Sequence, residues 1–197
     1  MKLKILPINQ TASYYESRLE HREYYADKVL NLKPDGRRRL EVLAVRCLLK
    51  ELTGAEQEVV YDPHGKPALK NSALHLSISH TDGYAAAIVG EKPVGIDIER
   101  RGRRVERVVS KFMQTSETAL AGQLDDRLLA MHLIWSAKEA AFKVLGQDYY
   151  DLQNLTCVTS IDLGRKEITM NVVNMEKPLT IYFDYNEEFV LCYLTLS

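Results

Sequence analysis

Apolar and polar positions recur with two different periods along the first half of the chain, and each period predicts a different kind of element. An apolar stripe at i, i+3, i+4, i+7 and i+8 that starts at Leu40 predicts an amphipathic helix over residues 37–52, ended by Gly54. Residues 13–30 are predicted to form another helix. Alternating positions and short apolar runs between turn residues predict strands over residues 2–8, 59–61, 74–79, 84–89 and 94–99.

The second half of the chain repeats the order of helices followed by strands. Helices are predicted over residues 105–112, 117–124 and 125–146, and Gly146 ends the longest of them. Strands are predicted over residues 156–161, 167–173, 179–185 and 189–196. We therefore expect an α+β fold of two similar halves, residues 1–100 and 101–197, each with antiparallel strands packed on a long helix.

The longest predicted helix places ionisable and bulky apolar side chains on the same side. At about 100° per residue, one arc of this helix carries Trp135, Lys138, Glu139, Phe142 and Lys143. A carboxylate and two ammonium groups beside aromatic rings lose hydration unless a metal ion, a polyanion or each other pairs with them. Glu139 and Lys143 taken alone, spaced i,i+4, are equally typical of an ordinary helix-supporting pair.

Two further carboxylates lie on the strand predicted over residues 94–99. Because side chains alternate along a strand, Asp97 and Glu99 share one face. A surface strand tolerates such a pair in water, whereas Gly95 would let another backbone or a ligand come close. With Glu139 they form a set of three carboxylates from two elements. All-oxygen ligands suit Mg²⁺ or Mn²⁺ and a phosphate-bearing substrate, not zinc.

Composition and charge exclude several function classes. The 197 residues are 46% hydrophobic and 27% charged, with a formal net charge of −1, so we expect a globular protein without a general attraction to nucleic acid or membranes. The N-terminal apolar run is too short for a signal peptide, and no stretch approaches membrane-spanning length. Three widely spaced cysteines without a CxxC pair argue against disulfides and thiolate metal sites and favour a cytoplasmic location.

Three blocks of the sequence resemble the 4′-phosphopantetheinyl transferases of the surfactin-synthetase-activating type. The first block is Gly65-Lys66-Pro67 with Ile78-Ser79-His80, and the second is Val94-Gly95-Ile96-Asp97-Ile98-Glu99. The third is Trp135-Ser136-Ala137-Lys138-Glu139-Ala140-Ala141-Phe142-Lys143. One block alone would be weak, but their order and separations are also similar to those of the family, over roughly residues 37–146.

The resemblance implies an enzyme that moves the phosphopantetheine arm of coenzyme A to a serine hydroxyl of an apo carrier protein and releases adenosine 3′,5′-bisphosphate. It implies two α+β halves related by a pseudo-twofold axis, with the active site in the cleft between them. Coenzyme A is then the co-substrate, Mg²⁺ or Mn²⁺ the cofactor, and an acyl or peptidyl carrier protein the transient partner. We expect a monomer that binds neither nucleic acid nor a membrane.

Residue by residue, the resemblance implies Asp97, Glu99 and Glu139 as the metal ligands. The implied catalytic residues are Glu139, Lys143 and Asp97. Lys143 would stabilise transition-state charge, and Glu139 or a metal-bound hydroxide would accept the serine proton. The implied coenzyme A contacts are Arg37, Lys66, Ser79, His80, Lys138 and Lys143. Arg37 would contact the 3′-phosphate, although Arg38 or Arg39, the next two residues, could do so in its place.

Two other functions are open to the same residues: a non-catalytic coenzyme A-binding module and a magnesium-dependent phosphohydrolase. The arginine-rich segment over residues 100–107 lacks interleaved aromatic residues, which argues against nucleic acid. We interpret it as a solvated linker or, together with exposed Phe112 or Met113, as a docking surface for an acidic carrier protein. We interpret Trp135 as a packing anchor, and the histidines other than His80 as structural.

Overall fold

The computed structural model describes residues 1–196 and divides them into two compact units, Met1–Val94 and Gly95–Leu196. The division falls between residues 94 and 95, whereas the sequence suggested a boundary between 100 and 101. The strand that carries Asp97 and Glu99 therefore belongs to the second unit, because it joins a sheet made of strands from the C-terminal part of the chain.

The first unit combines three helices with five strands. Its helices are α1 Ala12–Glu16, α2 Ala26–Val29 and α3 Arg37–Thr53. Its strands are β1 Lys2–Pro7, β2 Val59–Tyr61, β3 Pro67–Leu69, β4 His75–Thr81 and β5 Tyr84–Gly90. An antiparallel sheet has the order β1-β5-β4, and β2 pairs with β3 in a separate antiparallel hairpin.

Helix α3 provides much of the core of the first unit. Leu43, Ala44 and Leu48 from its apolar stripe are fully buried, and the helix packs on β1 and β5. Gly54 follows with a φ of 82°, and its N–H donates to the carbonyl oxygen of Lys50. A glycine in this left-handed conformation satisfies a carbonyl at the end of the helix. The helix and the stop predicted from the sequence are thus confirmed.

The second unit has one sheet and three helices. Its helices are α4 Thr115–Gly122, α5 Arg127–Leu145 and α6 Leu152–Leu155. Its strands are β6 Val94–Arg100, β7 Thr156–Asp162, β8 Glu167–Val172, β9 Leu179–Tyr185 and β10 Phe189–Thr195. The sheet order is β6-β10-β9-β8-β7, and α5 packs on β10. The α+β class is confirmed, and so is the antiparallel pairing of successive strands from β7 through β10.

Two predicted helices are not continuous. Residues 13–30 contain α1, a 3₁₀ helix at Arg22–Tyr24 and α2, because this segment has no regular apolar stripe and instead buries Tyr15 and Tyr25. Residues 105–112 form two 3₁₀ turns, Val105–Arg107 and Val109–Lys111. Clustered β-branched residues favour a helix less than straight side chains do, which fits this interruption.

No helix among residues 1–196 is both long and apolar enough to span a membrane. The three cysteines are free thiols, two of them buried.

Candidate active site

Strand β6 and helix α5 approach each other closely because one residue of the strand has no side chain. A Cβ atom placed on Gly95 would lie 2.1 Å from the carbonyl oxygen of Ala140, which real structures do not allow. Ala137, Ala140 and Ala141 on the helix are themselves fully buried. This close approach brings the polar groups of β6 within hydrogen-bonding reach of α5.

The side chain of Asp97 is held by helix α5. Asp97 is only 3% exposed, and its Oδ1 accepts a hydrogen bond from Lys143 Nζ at 2.8 Å. The same ammonium group donates to the carbonyl oxygen of Ile96 at 2.9 Å. Ser136 Oγ donates to the carbonyl oxygen of Asp97 at 3.2 Å. Asp97 and Lys143, which the sequence placed in one site, therefore form an ion pair between strand and helix.

Glu99 is held by the aromatic residue at the start of the third sequence block. The indole Nε1 of Trp135 donates to Glu99 Oε1 at 2.9 Å. The indole ring also packs edge-on against Phe112, with 4.9 Å between ring centroids and 62° between planes. Trp135 is thus the packing anchor that the sequence predicted, and its hydrogen bond to Glu99 gives it a second role.

The third carboxylate, Glu139, lies in the same electrostatic environment. Burial, reinforced by the charges of Asp97 and Glu99 and opposed by that of Lys143, raises the pKa of Glu139 to about 7. Burial and the charge of Asp97 likewise raise the pKa of Glu99 to about 7, against the hydrogen bond from Trp135. Such shifts require the three carboxyl groups to be near one another in a poorly hydrated place.

The donor chemistry of this group fits a hard divalent cation, although the side chains are not gathered around one point. Within residues 1–196, no three His, Cys, Asp or Glu side chains are arranged to ligate a metal. Two of the carboxylates instead accept hydrogen bonds from side chains, Asp97 from Lys143 and Glu99 from Trp135. A divalent ion would offset the burial and the mutual repulsion that together raise the pKa values of Glu99 and Glu139.

Lys138 lies away from the carboxylates, in a buried polar cluster. The ammonium is fully buried and donates to Glu117 Oε2 at 2.8 Å. It also lies within hydrogen-bonding distance of three carbonyl oxygens, those of Phe112, Leu152 and Thr156. Because an ammonium group has three N–H donors, these acceptors leave none for a phosphate. The placement of Lys138 therefore argues against its predicted role as a phosphate contact.

A cavity in the first unit is lined by one predicted coenzyme A residue, His80, and by Arg38, the alternative to Arg37. Its volume is about 160 Å³. Arg38 Nη1 and His80 Nε2 lie 2.8 Å apart on its wall, and Arg38 Nη1 and His80 Nδ1 each lie 3.4 Å from Oε2 of the buried Glu41 carboxylate. The remaining lining comes from Val42, Val45, Arg46, Tyr61, Gly65, Pro67 and Ile78. Arg38 and His80 on this wall are basic, and a phosphate site requires such groups.

The three consecutive arginines at the start of α3 have different surroundings. Arg37 Nε donates to Glu41 at 2.8 Å, and Arg37 lines a second cavity of about 260 Å³ that also contains Asp35 and Asp82. Arg39 is mostly buried and pairs with Glu16 at 2.6 Å. Of the three arginines, Arg38 lines the cavity that contains His80.

Two more predicted coenzyme A residues flank this cavity in the sequence. Lys66 is exposed in the turn between β2 and β3, between the lining residues Gly65 and Pro67. Ser79 is buried on β4, next to the lining residues Ile78 and His80.

Three features of these sites were not predicted. The Trp135–Glu99 hydrogen bond needs a tertiary contact and left no mark in the sequence. Glu117 could have been noticed, because it lies in the segment between the second and third blocks that resembles the family. Arg46 is a charged residue within the most apolar part of α3, and that position was its only signal.

Comparisons with known proteins agree with the sequence blocks. Residues 93–194, more than half of the chain, match the family model of the 4′-phosphopantetheinyl transferase superfamily. The protein gsp of Aneurinibacillus migulanus is 25% identical over 146 residues, covering 72% of this chain and 60% of gsp. Psf-1 of Bacillus pumilus is 29% identical over 156 residues, covering 75% of this chain and 65% of psf-1. AcpT of Salmonella typhimurium is 33% identical over 156 residues, covering 76% of this chain and 81% of AcpT.

All three relatives are named 4′-phosphopantetheinyl transferases. The chain spans less than two thirds of the length of gsp and of psf-1. The family match covers the unit in which Asp97, Glu99 and Glu139 act on one another. On the family match and on the similarity to AcpT, the chain belongs to the 4′-phosphopantetheinyl transferase superfamily.

Proposed function

We propose that the protein transfers the 4′-phosphopantetheine group of coenzyme A to a serine hydroxyl of an apo acyl or peptidyl carrier protein, with Mg²⁺ as cofactor. The observation that carries this proposal is that the charge of Asp97 acts on both Glu99 and Glu139 and helps burial to raise the pKa of each, beside the Lys143 ammonium. A purely binding protein has no need to hold one buried and two partly buried acidic groups near one another, because each loses hydration.

In this reaction the serine oxygen bonds to the β-phosphorus of coenzyme A, and the bond from that phosphorus to the bridging oxygen breaks. The bridging oxygen leaves with adenosine 3′,5′-bisphosphate. In this proposal Glu139, on helix α5, accepts the serine proton as a carboxylate base. Lys143 stabilises negative charge on the diphosphate. Asp97, Glu99 and Glu139 would hold Mg²⁺, which would supply positive charge to offset that of the diphosphate.

The cavity with Arg38 and His80 supports a site for the adenosine 3′-phosphate end of coenzyme A. Arg38 is the better candidate for the 3′-phosphate, because it lines this cavity, whereas Arg37 lines a second cavity and Arg39 pairs with Glu16. Lys66 and Ser79, whose sequence neighbours line this cavity, stay predicted coenzyme A contacts. The pseudo-twofold relation of the halves, the cleft site, the monomeric state and the cytoplasmic location stay predictions.

The predicted carrier-docking surface needs one correction. Phe112 and Met113 are 0% and 4% exposed, so they belong to the core and are not available to a partner. Exposed cations precede them in the sequence, at Arg103, Arg104 and Lys111. These support docking of an acidic carrier protein through charge.

The decisive experiment is mass spectrometry of an apo carrier protein after incubation with coenzyme A, Mg²⁺ and the enzyme. We expect the carrier to gain one phosphopantetheine group. Glu139→Gln should keep the fold and lose nearly all transfer, because the amide cannot accept the proton. The control is Glu187→Gln, on an exposed turn of the same unit, which should transfer at the wild-type rate.

Each outcome selects one of the three candidate functions. An unmodified carrier with intact coenzyme A indicates the binding module. An unmodified carrier with hydrolysed coenzyme A indicates the phosphohydrolase. Wild-type transfer by Glu139→Gln would remove Glu139 from its assigned role.

A further inference from the structure

Arg46 is a buried cation whose hydrogen-bonding capacity is largely unused. It lies in the middle of α3 and is only 3% exposed. Its guanidinium hydrogen-bonds with Tyr61, but Nε and Nη1 have no hydrogen-bond partner. The carboxylate that acts on it, Asp27, is exposed and forms its own ion pair with Lys28 at 3.1 Å.

Such an arrangement is costly for a protein without a ligand. A buried arginine is normally paired with a carboxylate or fully hydrogen-bonded, because removing its charge from water is otherwise unfavourable. Burial accordingly lowers the pKa of Arg46 from its ordinary value. A guanidinium with spare N–H groups is a strong binder of phosphate oxygens. An anion bound beside Arg46 would supply both the missing charge and the missing acceptors.

Arg46 lines the cavity that contains Arg38 and His80. The charged lining groups are the two arginines and the single carboxylate of Glu41, so the wall is positive even with neutral His80. The volume of about 160 Å³ is below the roughly 300–1,000 Å³ of pockets for whole ligands. The cavity therefore suits one charged end of a ligand rather than all of it.

We propose that Arg46 is a specificity-determining residue, whose buried guanidinium binds a phosphate monoester in this cavity and selects ligands that carry one. The inference rests on the proposed function in one respect: in coenzyme A that group is the 3′-phosphate on the ribose. Arg38 and His80 hold the phosphate at the cavity wall, and Arg46 binds it from the buried side. The same group is present on the by-product, adenosine 3′,5′-bisphosphate.

A role for Arg46 in packing alone makes the opposite prediction. If its only task were the hydrogen bond to Tyr61, replacing it would weaken the fold and leave ligand preference unchanged. If it binds phosphate, Arg46→Met removes an unpaired buried charge at similar volume. The ligand-free variant should then melt at the wild-type temperature or higher.

Binding is tested by thermal unfolding of the full chain, without carrier protein or Mg²⁺. The probes are adenosine 3′,5′-bisphosphate, adenosine 5′-monophosphate, inorganic phosphate and adenosine. The wild type should be stabilised most by the 3′,5′-bisphosphate. Arg46→Met should lose that advantage, Arg46→Lys should keep part of it, and Arg22→Met, an exposed arginine of the same unit, should behave as wild type. Equal stabilisation by inorganic phosphate and the bisphosphate would show that the ester is not recognised and would overturn the proposal.

Kinetics supply the second readout. For Arg46→Met we expect KM to rise for coenzyme A by about tenfold to a hundredfold, the range for losing hydrogen bonds to a charged group. KM for 3′-dephospho-coenzyme A and both kcat values should stay near wild type. Unchanged KM for coenzyme A would overturn the inference while transfer itself stands. A wild-type enzyme that modifies no carrier would overturn the proposed function, yet leave the binding result intact.

Discussion

At the scale of single residues, the site depends on the side chains that donate hydrogen bonds to its carboxylates. Trp135 donates to Glu99, and Lys143 donates to Asp97, so each acid has a partner that fixes its direction. The sequence identified the acids and the lysine by their type and spacing. It interpreted Trp135 only as a large apolar residue, because an indole N–H shows its partner only when the chain is folded.

Replacing Trp135 by phenylalanine tests its positioning role. Trp135→Phe keeps an aromatic ring against Phe112 but removes the N–H that holds Glu99. We expect Mn²⁺ affinity, measured by electron paramagnetic resonance without coenzyme A, to fall about tenfold or more, since hydrogen bonds to charged groups contribute about 1.5–3 kcal/mol. Tyr182→Phe, at an exposed aromatic residue of the same unit, is the control. Wild-type affinity in Trp135→Phe would show that the hydrogen bond does not position Glu99.

At the scale of elements, the site is the contact between β6 and α5. The sequence predicted both elements and the bounds of α5 to within two residues, because its helix formers and Gly146 are strong local signals. It treated Lys138, Glu139 and Lys143 as one group on one arc. The structure separates them, since Lys138 turns toward Glu117 while Lys143 turns toward β6. Neighbouring positions on a helix can face different elements, and only packing decides which.

The close contact of the two elements predicts a strong effect of one added methyl group. Gly95→Ala places a Cβ 2.1 Å from a backbone carbonyl oxygen, so β6 and α5 must move apart. Overpacking of this kind costs about 1–3 kcal/mol, sometimes more. We expect a lower urea midpoint and a large loss of Mn²⁺ binding. Gly102→Ala, which meets no atom within 4 Å, should change neither; equal stability of the two variants would contradict the contact.

The buried pair of Glu117 and Lys138 predicts non-additive changes in stability. Lys138→Met leaves the Glu117 carboxylate buried and uncompensated and should lower the free energy of unfolding by about 3–5 kcal/mol. The double variant Lys138→Met/Glu117→Gln removes both charges and should recover part of that loss. Urea denaturation of the double variant and of both single variants, Lys138→Met and Glu117→Gln, gives the comparison. Additive losses would mean that the two side chains do not depend on each other.

At the scale of the whole molecule, the raised pKa values link stability to pH and to metal. The pKa values of Glu99 and Glu139 are raised from 4.5 to about 7 in the folded chain. Between those pH values the folded chain holds protons that the unfolded chain has released. Its stability from these groups is therefore complete below pH 4.5 and is lost as the pH rises through about 7.

We therefore expect the metal-free melting temperature to fall from pH 5 to pH 8 through this contribution, and Mg²⁺ to raise it at pH 8 far more than at pH 5. Thermal unfolding with EDTA or with Mg²⁺ measures both effects. The variant Glu99→Gln/Glu139→Gln should lack the fall and the response to Mg²⁺. A wild-type profile identical to that of this variant would show that the carboxyl groups are not coupled to folding.

Local sequence determined the helix and strand types, the turn and stop residues, and the chemical character of the site, because these follow from side-chain periodicity and residue type. Tertiary structure alone decided that Asp97 and Glu99 join the second unit, that Lys138 is buried with Glu117, and that Arg38 rather than Arg37 or Arg39 lines the cavity with His80. These outcomes depend on which residues distant in sequence come within hydrogen-bonding range. Periodicity fixes the face of an element but not the partner that covers it.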